Sequence, residues 1–374
     1  MIYLDNNATT MLDEYAGEVM YEFYREKYAN PNSIHSMGLE ANRAMEESRE
    51  KIAGLLKADP REIYFTGSAT ESINWALRSA TAFRRKRKKV VTSAIEHKAV
   101  LNTLKDLQNT YGIEVVYVEP DSRGVIPAEK VIEHVDEDTY LVSLMAVNNV
   151  TGAIQPYVEV GKFLEGKDIF YLIDAVQTIG KLKFDFETFC DFASFSAHKF
   201  HGPKGVGILY VRRGTPLRPL LTGGGQERGM RSSTQNVPGI VGTAIALERA
   251  IEKLSATERK LKELREMIAK SVLKLGGVIN TPLDRSISNT INISIPGIKG
   301  ETLVNALSEE GICVGTSSAC SSRSDGGQYV LKAMKVPEEV AESAIRVSMS
   351  RYTTEAEVKD FINKLKEIVS FLKF

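Results

Sequence analysis

The pattern that most constrains the fold is the alternation of short apolar runs and amphipathic stretches along the first two-thirds of the chain. Continuous apolar runs such as Tyr140–Val147 are typical of parallel strands that are covered on both faces. Helical patterns at Glu71–Phe83 and His97–Asn109 lie between such runs. This rhythm predicts a doubly wound α/β fold. The other predicted strands of this part are Glu62–Thr66, Lys89–Ser93, Ile113–Val118, Ile169–Ile173, Phe192–Phe195 and Gly205–Val211.

The pattern changes after residue 237. A long helical stretch with charged faces, Ile240–Leu275, precedes a series of shorter elements. This change predicts a second, smaller α+β domain. Its predicted elements are strands at Thr290–Ile295, Ile312–Gly315 and Ser343–Ser348, helices at Glu301–Glu310 and Glu355–Phe374, and a Ser/Gly-rich loop at Thr316–Gly327.

Charge and cysteine content limit the classes of function. The 48 basic and 48 acidic residues give a net charge of zero, which argues against a protein built to coat nucleic acid or an anionic membrane. Three cysteines without a CxxC pair disfavour a disulfide scaffold and a cysteine-based zinc site. With no signal peptide or membrane helix evident, we expect a cytoplasmic protein.

One charge run stands out at Arg84–Lys89 (RRKRKK). Cations at a helix C-terminus complement the macrodipole, so the run is typical of a helix end followed by a solvated turn. The alternative is a docking surface for an acidic partner or RNA.

Two charged residues at predicted strand ends suggest a cofactor site. Lys199 follows a buried strand and a small-residue turn, where a desolvated amine can form a Schiff base with a carbonyl cofactor. Asp174 follows the strand Ile169–Ile173, so its carboxylate is expected in the crevice where open α/β sheets bind ligands. Pyridoxal phosphate needs such an acid beside its ring nitrogen. Alternatively, Asp174 is a turn or cap residue.

Three further features have both a chemical and a structural interpretation. The segment Thr66–Ser72 (TGSATES) suits a phosphate at a helix N-terminus, or it is an ordinary N-cap. His97 opens a helix, where it can stack on a cofactor and move protons, although a lone histidine is more often structural. Cys320 lies among serines and glycines, a setting typical of a reactive thiolate, whereas Cys190 and Cys313 are expected to be inert core thiols.

Ordered motifs along nearly the whole chain resemble a family. The sequence is similar to cysteine desulfurases of the NifS/IscS type, which are fold-type I pyridoxal-phosphate enzymes of the class V aminotransferase family. The motifs that carry the resemblance are Tyr3–Thr10 (YLDNNATT), Asn30–Ser33 (NPNS), Gly67–Ser72 (GSATES), Glu96–Lys98 (EHK), Val147–Asn149 (VNN), Asp174–Gln177 (DAVQ), Ser196–Lys199 (SAHK), Gly223–Gly229 (GGGQERG), Ser318–Cys320 (SAC) and Ile345–Arg346 (IR).

The resemblance implies a large, mostly parallel seven-stranded sheet between helices, and a smaller α+β domain. The implied boundaries are 14–250 for the large cofactor domain, and 1–13 with 251–374 for the small domain, which carries the catalytic cysteine loop at 316–327. The resemblance also implies roles around pyridoxal 5'-phosphate. Lys199 binds its carbonyl carbon and relays the substrate's Cα proton, and His97 stacks on the ring and assists acid–base steps. The other implied cofactor-binding residues are Ala69, Thr70, Asn149, Asp174, Gln177, Ser196, His198 and Thr234.

The same resemblance implies the reaction and its partners. Asn149 and Arg346 hold the carboxylate of L-cysteine, and Cys320 attacks the substrate sulfur to leave L-alanine and an enzyme persulfide. No metal is implied, except that Cys320 is a candidate transient ligand of an iron–sulfur cluster. Thr234 is expected to reach the cofactor of the neighbouring subunit, so a homodimer is expected. An iron–sulfur scaffold or a tRNA-thiolation protein would accept the sulfur, without a membrane or direct nucleic-acid contact.

Some departures and alternatives remain. Val150 stands where the family usually has an acid, Gly67 and Ser68 exchange neighbouring small residues, and Ser317 replaces a glycine. A selenocysteine lyase or an aminotransferase-like enzyme would use the same cofactor. A non-enzymatic scaffold docking through Arg84–Lys89 would have no need of Lys199 and Cys320.

Overall fold

The computed structural model describes residues 1–184, 190–316 and 328–372. Its strands are β1 (Ile2–Leu4), β2 (Ile63–Thr66), β3 (Lys89–Ser93), β4 (Glu114–Val118), β5 (Thr139–Met145), β6 (Phe170–Asp174), β7 (Phe192–Ser196), β8 (Gly207–Val211), β9 (Val278–Ile279), β10 (Thr290–Ser294), β11 (Ile312–Thr316) and β12 (Ala344–Ser348). Its helices are α1 (Glu14–Arg25), α2 (Ser36–Leu56), α3 (Ala69–Ala82), α4 (Lys98–Tyr111), α5 (Ala128–Glu133), α6 (Tyr157–Leu164), α7 (Val237–Glu252), α8 (Leu254–Lys274), α9 (Gly300–Glu309), α10 (Gln328–Ala333), α11 (Glu338–Glu342) and α12 (Glu355–Leu372).

The larger sheet has seven strands in the order β2-β8-β7-β6-β5-β3-β4. All neighbouring pairs are parallel except the two pairs that β8 makes with β2 and β7. The interior strand β5 is buried along its whole length, as its continuous apolar run predicts. The predicted mostly parallel α/β sheet is therefore confirmed.

Helices cover both faces of this sheet. On one face, Leu172 and Phe192 belong to an apolar cluster with α3 and α4. On the other face, Ile173 and Phe195 belong to a second cluster with α2, α6 and α7. Because successive side chains of a strand point to opposite faces, neighbouring apolar residues serve two separate cores. This arrangement leaves the carboxyl edge of the parallel strands for a site.

A second sheet has the order β1-β11-β12-β10-β9 and packs through an apolar cluster with α8, α9 and α12. The chain between β1 and α1 connects the two sheets. The Nδ2 of Asn6 donates to the carbonyl of Ser348 at 2.9 Å, and the backbone N–H of Thr10 donates to the carbonyl of His198 at 2.9 Å. Residues near both chain ends therefore lie beside the carboxyl edge of the larger sheet.

The predicted helical stretch Ile240–Leu275 is helical in the structure, but it is divided into two helices, α7 and α8. The backbone at Lys253 (φ −90°, ψ 0°) ends α7 and caps α8. No glycine or proline marks this break, so the periodicity alone does not reveal it. Both Cys190 and Cys313 were predicted to be thiols of the core. Cys190 is buried, whereas Cys313 is only partly buried.

The contacts of the basic run agree with its interpretation as a helix end. Arg84 donates to the carbonyl of Thr81 at 2.7 Å in the last turn of α3. Arg85 and Arg87 each lie 3.3 Å from the Asp168 carboxylate. Much of the charge is thus used within the chain. In the part of the chain that the structure describes, no helix is long and apolar enough to cross a membrane.

Candidate active site

A cavity of about 240 Å³ lies at the carboxyl edge of the larger sheet. It is formed where β5, β6 and β7 end and where α3 and α4 begin. Ligands of open α/β sheets bind at this edge. Nine of the residues predicted from the sequence line it: Ala69, Thr70, His97, Asn149, Asp174, Gln177, Ser196, His198 and Lys199.

One end of the cavity is suited to a phosphate. Ser68 caps α3 by accepting a hydrogen bond from the N–H of Glu71 at 3.2 Å, so the helix begins at Ala69. The first amides of a helix have no intrahelical partner, and the helix dipole favours an anion there. Thr70, Ser196 and His198 line the same cavity and can add donors.

His198 faces this end as a neutral ring. Burial, together with the charges of Lys199 and Lys204, lowers its pKa to about 4. Its Nδ1 is 3.1 Å from the hydroxyl oxygen of Thr9. A neutral imidazole carries one N–H, so His198 would contact a phosphate as a hydrogen-bonding group without adding a full charge.

Asp174 supplies a buried carboxylate at the end of β6. Its Oδ1 accepts from the backbone N–H of Val176 at 3.0 Å. Burial raises its pKa, while His97, this hydrogen bond and Lys199 act in the opposite direction. Since a buried carboxylate is costly without further partners, a protonated ring nitrogen in the cavity would complete its environment.

Lys199 lies in the short turn Ala197–Lys199 that follows β7. Its Nζ donates to the carbonyls of Asn7 at 2.6 Å and Ala8 at 2.8 Å. Burial and then Arg346 lower the pKa of the amine to about 8, against the opposing charges of Asp174 and Asp5. About a tenth of the amine is then neutral at pH 7, whereas an ordinary lysine is almost wholly protonated. A neutral amine is the form that attacks a carbonyl carbon.

His97 caps α4, and its Nδ1 accepts from the N–H of Ala99 at 3.1 Å. In the neutral ring the proton is therefore on Nε2, the nitrogen left for the cavity. The preceding residue, Glu96, is fully buried, and its Oε1 accepts from Ser93 at 2.7 Å and from the N–H of Met145 at 2.8 Å. Burial raises the pKa of Glu96 to about 8.

Arg346 and Asn149 are joined at the edge of the site. Arg346 Nη2 lies 2.6 Å from Asp5 Oδ1, and its Nη1 donates to the carbonyl of Asn149 at 3.1 Å. The buried Nε of Arg346 and Oδ1 of Asn149 have no hydrogen-bond partner within the described residues. Buried polar atoms without partners mark a place where a ligand can bind.

Among the described residues predicted for the site, Arg346 and Thr234 do not line this cavity. Thr234 is exposed and lines another cavity, of about 180 Å³. Cys320 lies outside the described residues, but the residues that flank residues 317–327 lie near the site. Gly315 of β11 pairs with Arg346, and Tyr329 of α10 donates to the carbonyl of Glu96 at 2.8 Å.

Several contributors were missed by the sequence reasoning. Asp5 and Asn7 belong to the matched motif Tyr3–Thr10, which signalled the family without giving these residues a role. Glu96 and Lys181 form hydrogen bonds with the cavity residues Met145 and Gln177, and no local sequence pattern reveals these contacts. Gly207, by contrast, lacks a side chain where a Cβ would be 2.5 Å from the carbonyl carbon of Ser68, so it allows the start of α3 to approach β8.

This donor set fits pyridoxal phosphate. The helix start at Ala69 can take the phosphate, Asp174 can pair with the ring nitrogen, and Lys199 can bind the carbonyl carbon. These three groups line one cavity. The site thus has the features of an enzyme of the pyridoxal-phosphate class.

Comparisons with known proteins agree. The family model described as aminotransferase class-V matches residues 2–361. The chain is 40% identical to the cysteine desulfurase IscS of Dictyoglomus turgidum, covering 100% of this chain and 95% of that protein. It is 39% identical to a cysteine desulfurase of Nostoc sp., covering 100% of this chain and 94% of the relative. The structure of a NifS-like protein matches with a TM-score of 0.94 and 51% identity, over 99% of both chains.

The chain therefore belongs to the class-V aminotransferase family, whose cysteine desulfurase members use pyridoxal 5'-phosphate. The family and the cofactor predicted from the sequence are confirmed.

Proposed function

We propose that this chain is a cysteine desulfurase, which removes sulfur from L-cysteine and leaves L-alanine. The observation that carries the proposal is the placement of the Lys199 amine and the buried Asp174 carboxylate on the walls of one cavity. The full-length similarity to cysteine desulfurases selects this reaction among those of the family.

The cofactor supplies an electron sink for the carbon next to the substrate amine. The protein holds the groups around it. Asp174, as a carboxylate, would keep the ring nitrogen protonated, and Ala69 and Thr70 would bind the phosphate. Lys199 would hold the carbonyl carbon of the cofactor, and its amine, when free, would take the Cα proton of the substrate. The lowered pKa of this amine suits proton transfer near neutral pH.

Arg346 is proposed to bind the substrate carboxylate. A guanidinium binds a carboxylate through two parallel hydrogen bonds, and the buried Nε of Arg346 still lacks a partner among the described residues. Asp5 and the carbonyl of Asn149 hold the other two nitrogens. The substrate is therefore held at one end by a guanidinium whose orientation is already fixed.

Cys320 is proposed as the nucleophile. Its thiolate attacks the substrate sulfur, so an S–S bond forms while the carbon–sulfur bond of the substrate breaks. The bonding electrons stay with the carbon, which takes up a proton to give alanine, and the persulfide remains on Cys320. The flanking contacts of Gly315 and Tyr329 with the site support this assignment.

Mass spectrometry of the enzyme after turnover with cysteine tests this proposal. We expect one extra sulfur on the Cys320 peptide, and formation of alanine that is lost in Cys320→Ala and in Lys199→Ala. Lys199→Ala should also lose the visible absorbance of the bound cofactor. Cys313→Ala is the matched control and should retain activity. Extra sulfur on Cys313 instead, or normal turnover by Cys320→Ala, would show that the nucleophile is misassigned.

A homodimer is part of the proposal. Thr234 is exposed and lies away from the cavity of its own chain, as expected of a residue that reaches a neighbouring subunit. Large apolar side chains are also exposed on α1, in the segment that follows it and at the start of α2, and exposed apolar residues of this size are typical of an interaction surface. These are Tyr15, Tyr21, Tyr24, Tyr28, Ile34, Met37 and Leu39. Sedimentation of the wild type should give twice the chain mass, and a monomer that turns over cysteine would contradict the dimer.

The sulfur acceptor is proposed to be an iron–sulfur scaffold or a tRNA-thiolation protein, in the cytoplasm. Domains at 14–250, and at 1–13 with 251–374, are proposed as well. The seven-stranded sheet within 63–211 and the five-stranded sheet from 2–4 and 278–348 support that division.

A further inference from the structure

Lys181 lies just behind the wall of the cofactor cavity. Its Nζ donates to Oε1 of Gln177, one turn earlier in the chain. Gln177 lines the cofactor cavity, but Lys181 does not. Lys181 and Lys199 instead line a small cavity of about 30 Å³ on the other side. Lys181 is therefore placed to act on the cofactor site through another residue.

A lysine amine determines which way this amide faces. The Lys181 amine donates, so the oxygen of Gln177 faces it and the Nε2 faces away. That nitrogen donates to the carbonyl of Asn7 at 3.2 Å. The same carbonyl accepts from Lys199 at 2.6 Å. Gln177 is thus held at both ends of its amide, and its Nε2 bonds to the same carbonyl as the Lys199 amine.

Lys181 is in an unfavourable place for an amine. Burial, and the positive charges of Lys199 and Arg346, lower its pKa well below the ordinary range. Within the described part of the chain, no salt bridge to a carboxylate joins it; Asp5 and Asp174 act on Lys199 instead. Packing alone would be served better by an apolar side chain such as methionine, so the amine needs another explanation.

We propose that Lys181 is a positioning residue that holds the Gln177 amide with its N–H toward the bound cofactor and its oxygen away from it. This inference rests on the proposed function, in which Gln177 donates to the phenolic oxygen of pyridoxal phosphate, a role that the resemblance to cysteine desulfurases implies. Without Lys181 the Gln177 amide can rotate by half a turn. Its Oε1 would then face the phenolic oxygen of the cofactor and repel it.

The pH dependence of the visible absorbance of the bound cofactor tests the proposal. Donation from Nε2 stabilises negative charge on the phenolic oxygen. This lowers the pKa of the proton that the phenolic oxygen shares with the Lys199 nitrogen. Lys181→Met should therefore raise the pH midpoint by about one unit, the equivalent of one hydrogen bond to a charged group. Lys181→Arg, which keeps the hydrogen-bond donors, should have a pH midpoint close to that of the wild type. Lys183→Met, at an exposed lysine two residues away, is the control and should leave the midpoint unchanged.

A double-mutant cycle separates positioning from a direct effect of charge. If Lys181 acts through Gln177, Lys181→Met should shift the midpoint in the wild type and not in Gln177→Ala. An equal shift in both backgrounds, or none in either, would overturn the proposal. Lys181→Ala serves as a second removal of the amine if Lys181→Met does not fold. Failure of the wild type to bind pyridoxal phosphate would instead contradict the proposed function.

Discussion

The glycine at the start of β8 should be essential to the phosphate end of the site. Gly207 pairs with Thr66 on one side and Ser196 on the other. A Cβ there would lie 2.5 Å from the carbonyl carbon of Ser68, 2.5 Å from Oγ1 of Thr66 and 2.7 Å from the carbonyl oxygen of Ser68. Two of these atoms are backbone, so no side-chain rotation relieves the overlap.

These distances determine how much Gly207→Ala should weaken cofactor binding. Ordinary contact begins at 3.4 Å, so Gly207→Ala must move Ser68, and with it the start of α3, by roughly 0.9 Å. Hydrogen bonds to a phosphate tolerate only about 2.7–3.2 Å, so at least one is lost. A hydrogen bond to a charged group is worth about 1.5–3 kcal/mol, which corresponds to roughly ten- to a hundredfold weaker cofactor binding. Overpacking should also destabilise the fold by about 1–3 kcal/mol.

Gly54→Ala provides a matched control. Gly54 is an exposed position within α2, and a Cβ there meets nothing within 4 Å. Alanine favours a helix by about 0.5–1 kcal/mol over glycine, so this variant should be slightly more stable with unchanged cofactor affinity. The assays are titration of the apoprotein with pyridoxal phosphate and thermal unfolding of the holoenzyme. Wild-type cofactor affinity in Gly207→Ala would refute the steric reasoning.

Three further predictions concern the site. Asp174→Asn should lower alanine formation by roughly a hundredfold or more, because a neutral amide does not keep a ring nitrogen protonated; a loss below threefold would contradict this role. Burial raises the pKa of Glu96 from 4.5 to about 8 in the folded state. Between these two pH values Glu96 is ionised in the unfolded chain but still protonated in the folded one, so the free energy of unfolding should fall as pH rises. The cost at pH 8 is at most about 5 kcal/mol, so Glu96→Gln should flatten the fall in the thermal midpoint between pH 5 and 8, and an unchanged slope would argue against it. Gly315→Ala places a Cβ 2.7 Å from Oδ1 of Asp5 and 2.9 Å from Nη2 of Arg346, and should raise the KM for cysteine roughly tenfold; an unchanged KM would separate this pair from substrate binding.

Local patterns predicted the elements whose residues decide their own structure. The strand Lys89–Ser93 was predicted at its observed bounds, and Glu355–Phe374 agrees with α12 over its described length. The cavity residues at the ends of β6 and β7 were also predicted, because a charged side chain after a buried apolar run is locally visible. The roles of Asn7, Glu96 and Lys181 were not, since each depends on contacts with residues distant in the sequence.

Helix ends were predicted less well for a similar reason. The helix predicted from Glu71 begins at Ala69, because Ser68 caps it. His97, predicted as the first residue of a helix, is the N-cap of α4. In both cases the capping side chain lies beside the cavity, so a residue that stabilises the helix also shapes the site.

The meeting of both chain ends at the cavity has a consequence for biosynthesis. Asn7 holds Lys199, Asp5 holds Arg346, and Asn6 bonds to Ser348, so the site combines segments about 340 residues apart. A ribosome makes the N-terminal segment first, and that segment must wait for β12 before its partners exist. Nascent chains that already contain the whole seven-stranded sheet have the cofactor-lining residues but still lack Arg346, so they should be unable to hold the substrate carboxylate. Substrate binding should thus begin only after synthesis has passed β12, which ends at Ser348.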